Sequence, residues 1–117
     1  MEETCLRNAL LSLHGSLIDC ERRAYEKANG RVTGAEFLQE LLRDPAFSWI
    51  GRLTGLIASF DERGCDEASM HGRLLRARAR MLLRGEGEFR AKAVERVQSS
   101  PEVAFAHAAA VHALGRL

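Results

Sequence analysis

Residues 44–62 read Asp-Pro-Ala-Phe-Ser-Trp-Ile-Gly-Arg-Leu-Thr-Gly-Leu-Ile-Ala-Ser-Phe-Asp-Glu and fit a single helix with two packable faces. At about 100° per residue, Ala46, Trp49, Ile50, Leu53, Leu56, Ile57 and Phe60 fall on one side, an apolar stripe that needs a core. The opposite side carries Ser48, Gly51, Thr54, Gly55, Ala58 and Ser59, all small and uncharged, where a solvated helix would carry Lys and Glu. Two interior glycines cost about 1 kcal/mol each relative to alanine, and close approach of another backbone is one compensation. The alternative is that they merely loosen a partly exposed helix. Asp44 and Pro45 read as helix cap and first helical residue.

The rest of the chain is built from the same material. Leu6, Leu10, Leu13, Leu17, Cys20 and Ala24 alternate spacings of four and three, which predicts a long first helix from about Thr4 to Asn29, stopped by Gly30. Leu11, Ile18 and Tyr25 form a second stripe beside it. Thr33-Gly-Ala-Glu36 is a capping box, and the helix behind it is expected to bury Phe37, Leu38, Leu41 and Leu42. A fourth helix is expected from near Asp66 to Arg84, a short fifth from about Glu88 to Gln98, and a sixth after the Ser100 cap and Pro101. No strand-like alternation occurs. The expected fold is all-α: one compact domain over residues 1–117, a bundle of five to six helices centred on helices 1, 3 and 6, with Trp49 as a large anchor.

At 117 residues the chain can bury roughly two thirds of its unfolded surface in one core, so it needs no disulfide or metal to fold. Lys and Arg total 17 against 16 Asp and Glu, a balance that provides no long-range field toward nucleic acid or an anionic membrane. Cys5, Cys20 and Cys65 are odd in number and far apart, which reads as reduced thiols in a cytoplasmic protein. Glu2 and Glu3 stand where a secretion signal would be basic, and no apolar run approaches the roughly 20 residues of a membrane span.

The pattern Asp44-Pro45-x-Phe47-x-Trp49-Ile50-x-x-Leu53-x-x-Leu56-Ile57-x-x-Phe60-Asp61-Glu62, with the later Ser100-Pro101-Glu102-Val103-x-x-Ala106-His107, resembles a group of small bacterial helical proteins of unassigned function. In that group a proline often stands at the position of Arg52, after an arginine at the position of Gly51, which leaves open whether the helix here is continuous. The resemblance implies an all-helical fold and a bacterial origin. It transfers no catalytic residue.

Candidate chemistry is sparse. Glu67, His71 and Arg78 share a stripe of the fourth helix with Leu74 and Met81, and ionisable groups on a core stripe need partners. Arg78 is expected to pair with Asp44 or Asp61, or else to hold an anion through its guanidinium fork. Arg73, Arg76, Arg80 and Arg84 form an outer stripe that could track phosphates but lacks interleaved aromatics, and so reads as a solvated face. Helix 6 carries Phe105, Ala109 and His112 on one face and His107 on its main face. His107 could ligate haem or a metal, yet a histidine on an apolar face is more often a core residue with one hydrogen bond, and the five-residue step to His112 is not ligand spacing. His14 and Glu21 share an edge of the first helix as a possible acid–base pair.

Without a recognisable nucleophile, metal or phosphate motif, the expected function is a non-enzymatic interaction or regulatory protein. It is expected to associate with itself as a homodimer or with a protein partner, without cofactor, nucleic acid or membrane. The interface residues are Ser48, Gly51, Gly55, Ala58, Phe105 and His112. The alternative is a small-molecule or anion binder, or an enzyme, with a pocket near Trp49, His71 and Arg78 and with His107 as a further ligand-binding candidate.

Overall fold

The computed structural model describes residues 5–63 and 69–115. Six α-helices appear in them: α1 (Leu6–Asn29), α2 (Gly34–Arg43), α3 (Gly51–Arg63), α4 (Met70–Arg84), α5 (Glu88–Ser99) and α6 (Pro101–Leu114). A 3-10 segment, Pro45–Ile50, leads into α3. The described residues contain no strand, so the chain is the all-α bundle its periodicity predicts.

α1 lies against α3, α5 and α6, and its pairing with α6 is the most extensive in the molecule. Leu6, Leu10, Leu13 and Leu17 are fully buried, each removal from water contributing about 1.5–3 kcal/mol. The stripe then turns: Ala24 is exposed, and Glu21 is buried in its stead, where it accepts from Arg96 Nε. At Gly30 the backbone takes φ 87°, a conformation that favours glycine, and α1 ends. Arg22 donates to Val32 O (2.8 Å) and Glu26 accepts from Val32 N (3.1 Å), which fixes the turn into α2.

The capping box forms as expected, with Glu36 N donating to Thr33 Oγ1 (3.1 Å) and Thr33 N to Glu36 Oε1 (2.8 Å). Of the four apolar residues expected to be buried in α2, only Phe37 is; Leu38 is 56 % and Leu42 82 % exposed. The reason is position: Phe37 packs with Tyr25 and Phe47, ring centroids 5.6–6.5 Å apart, while the face of α2 that carries Leu38 and Leu42 is left exposed by the described residues.

Asp44 caps the next segment by accepting from Ala46 N (2.9 Å). Residues 45–50 wind as a 3-10 helix and continue without a break into α3, Gly51 having φ −57° and ψ −30°. Three residues per turn stack Phe47 above Ile50, so Phe47 is buried and Ala46, expected inside, is exposed. Trp49 is 2 % exposed and packs on Phe89 with centroids 5.6 Å apart. From Leu53 to Phe60 the expected core face holds.

α4 starts at Met70, where Ser69 Oγ accepts from Gly72 N (2.9 Å). Its core-facing residues are Gly72, Leu75, Arg76, Ala79 and Leu83. This corrects two expectations. The Leu74–Arg78–Met81 stripe faces outward, and Arg76, expected on a solvated face, is buried and caps α6 by donating to the Leu114 and Ala113 carbonyls. Four unpaired carbonyls at a helix C-terminus accept cations well, and that supplies the partner a buried guanidinium needs. Glu67 lies outside the described residues.

Val94 of α5 is 39 % exposed, while Phe89 and Ala93 fill the core. In α6 Val103, Ala106, Ala110, Ala113 and Leu114 are buried. Its other side is open, with Phe105 81 % exposed beside Ala109 and His112. Cys5 is disulfide-bonded, so the reading of three reduced thiols does not hold for it; Cys20 is free. Among the described residues no helix is long and apolar enough to cross a membrane.

Candidate functional site

The small-residue side of α3 meets the outward stripe of α4 across an open groove of about 820 Å³. Gly51, Gly55 and Leu56 line it from α3; Leu74, Ala77, Arg78 and Met81 line it from α4. The turn at 85–87 and the first residues of α5 close one end.

A Cβ placed on Gly51 or Gly55 would meet nothing within 4 Å. No backbone among the described residues approaches them, so close packing within the described chain does not account for these glycines. On the facing wall Leu74 is 59 % and Met81 72 % exposed, and Met70 at the start of the same helix is 72 % exposed. An apolar wall that stays wet beside an empty floor is unlike isolated surface leucines, which need no explanation.

The polar lining consists of Arg52, Arg78 and Arg90 together with Glu86 and Glu88, all exposed. Arg78 does not pair as expected: Asp61 accepts from Arg7 Nε (2.7 Å), Asp44 is a cap, and Arg78 reaches only Ser59 Oγ at 3.4 Å. Gly87 caps α5 without a side-chain hydrogen bond, so the positive end of that helix also adjoins the groove.

The remaining candidates are dispersed. Ser48 and Ala58 are exposed on the 3-10 segment and α3 but do not line the groove; Phe105 and His112 belong to the separate open side of α6. Trp49 sits in the core, its indole N–H buried without an acceptor among the described residues, with the Arg96 guanidinium 5.8 Å from the ring centroid. His71 is half-buried outside the groove. Of Trp49, His71 and Arg78 only Arg78 lines the groove: 3-10 winding turns the indole inward toward Phe89, while Arg78 is exposed.

His107 is half-buried on α6, and desolvation, with the Arg90 charge as a smaller cause, holds its pKa below the ordinary histidine value. His14, with Nε2 2.9 Å from Thr54 Oγ1, is lowered by desolvation too. It stands apart from Glu21, which is taken by Arg96, so the proposed acid–base pair does not exist. Among the described residues no three His, Cys, Asp or Glu side chains converge on a metal position.

No protein-family model, curated protein or solved structure matches this chain. The site therefore has to be interpreted from its own geometry. Sequence reasoning missed Leu74 and Met81 as exposed groove residues. Their signal was present: Met70, Leu74, Ala77 and Met81 follow spacings of four, three and four, the same seam step that was recognised in α1.

Proposed function

We propose that this protein is a non-enzymatic helical interaction module whose α3–α4 groove receives a helical segment of a protein partner. The observation that carries the reading is the pairing of open space over Gly51 and Gly55 with the exposed Leu74 and Met81. Helix-in-groove docking uses apolar anchors at helical spacing laid into such a trough. Two small residues one turn apart let the incoming helix come close, which is where the cost of interior glycine is recovered.

A photo-crosslinking benzoyl-phenylalanine at position 81 tests the reading in expressing cells. Discrete protein adducts at 81, absent when the same group replaces Lys27 at the far end of α1, are the expected result. No adduct specific to position 81 would overturn it.

One observation favours a second reading, self-association: Phe105 is 81 % exposed on an uncharged face with Ala109 and His112. An adduct of twice the chain mass from position 105, lost in Ala109→Glu, would support a homodimer through α6. The cytoplasmic placement expected from free thiols keeps that support only at Cys20.

A further inference from the structure

We infer that the helix received by the groove is acidic: an amphipathic segment with an apolar seam flanked by Glu or Asp, docking along α4 in the manner of a short coiled coil. The inference rests on the helix-docking reading above and adds the partner's chemistry.

α4 presents Met70, Leu74, Ala77 and Met81 as an exposed seam. In the register those spacings define, the seam residues take the a and d positions, and the flanking e and g positions are His71, Arg73, Arg78 and Arg80. None of the three arginines is in an ion pair, although six such pairs join other residues of the described chain. α4 contains five arginines and no acidic residue in its 15 positions, while the whole chain is only +1, so the rest of the chain is net acidic. The positive charge is thus concentrated on the helix that presents this exposed seam. Arg52 and Arg90 extend it across the groove, where with Arg78 they outnumber Glu86 and Glu88 at the turn into α5.

Flanking charges decide partner choice in such pairings. A second copy docking through α4 would set Arg73, Arg78 and Arg80 against the same arginines, in parallel or antiparallel order. Like charges at flanking positions are unfavourable, so α4 selects against itself. Acidic flanks reverse every one of those contacts. The seam from Met70 to Met81 spans about 16 Å, so a partner helix of roughly three turns covers it. A flexible methionine at each end adapts to the side chains it meets.

The test is a displayed library of helices about 21 residues long, three heptads, with leucine at a and d and Glu, Lys or Gln in equal proportion at e and g. It is sorted on the full chain. Expected is enrichment of Glu over Lys at the flanks by at least about tenfold, shrinking as salt rises from about 50 mM to about 500 mM. Arg73→Glu, Arg78→Glu and Arg80→Glu combined should invert the preference, with circular dichroism checking the fold. Enrichment with no charge preference, abolished by Gly55→Leu, would overturn the acidic partner and leave helix docking standing. Absence of any enrichment would overturn both. Cosedimentation with phosphatidylglycerol vesicles, lost in the triple variant and without library enrichment, would replace the helix by an anionic surface.

Discussion

Arg96 is the residue whose loss should expose the balance of forces in the core most clearly. Its Nε donates to Glu21, which has only 7 % of its side-chain area in water, and its guanidinium stands over Trp49. The hydrogen bond to Glu21 is the main reason Arg96 holds its proton even more firmly than a free arginine. Arg96→Met keeps the stem and removes the charge, leaving a buried carboxylate alone. Breaking a fully buried pair costs about 3–5 kcal/mol. The Arg96 side chain is 24 % exposed, so water offsets part of that, and the lost cation–π contact adds about 0.5–1 kcal/mol. A net loss of about 3 kcal/mol at neutral pH is expected. Trp49, the only tryptophan, reports unfolding by fluorescence in urea. Glu21→Leu with Arg96→Met should recover to within about 1 kcal/mol of wild type, since no charge is then stranded. A loss below about 1 kcal/mol would refute the reasoning.

Gly55→Ala should stabilise the isolated chain by up to about 1 kcal/mol in urea denaturation, because its Cβ enters open space in a helix interior. Destabilisation would mean that the groove is filled within the chain. Leu74→Ser should leave stability within about 0.5 kcal/mol of wild type, as expected for an exposed side chain, while removing the crosslink formed from position 81. His14 and His107 both have lowered pKa values, so the folded state binds fewer protons than the unfolded one. The urea midpoint should hold above about pH 6.5 and fall as pH drops below it, and His14→Asn with His107→Asn should flatten that slope.

Helix order, caps and most of the core were legible in the sequence because they are local: Thr33 with Glu36, Asp44 before Pro45, Ser100 before Pro101, and the Leu6 to Leu17 stripe. The face of α4 was not. Leu74–Ala77–Met81 and Leu75–Ala79–Leu83 are both apolar at helical spacing, and the choice between them depends on residues far away in sequence. Arg76 settles which face turns inward by meeting the end of α6, about ten helical turns distant in chain order. Leu38 and Leu42 failed for the complementary reason: their pattern asked for a partner that α2 does not have among the described residues. For the site, Gly51 and Gly55 were found by helical projection, since small uncharged residues on a helix surface are anomalous, and Arg78 as an ionisable group on an apolar stripe. Their joint lining of one groove followed only from how α3 meets α4.

The six residues from Pro45 to Ile50 also set a phase. Wound as 3-10 they span about 12 Å, against about 9 Å for an α-helix, and each advances the chain by about 120° in place of about 100°. They join the aromatic stack at Phe47 to the glycines that open the groove. Deleting one residue there would swing Gly51 and Gly55 by about a third of a turn, toward the side that Leu53 and Leu56 occupy. Substitutions in this stretch alter only what a side chain touches; a change in its length would dial the binding surface out of view, which makes residue count, more than residue identity, what this connector must preserve.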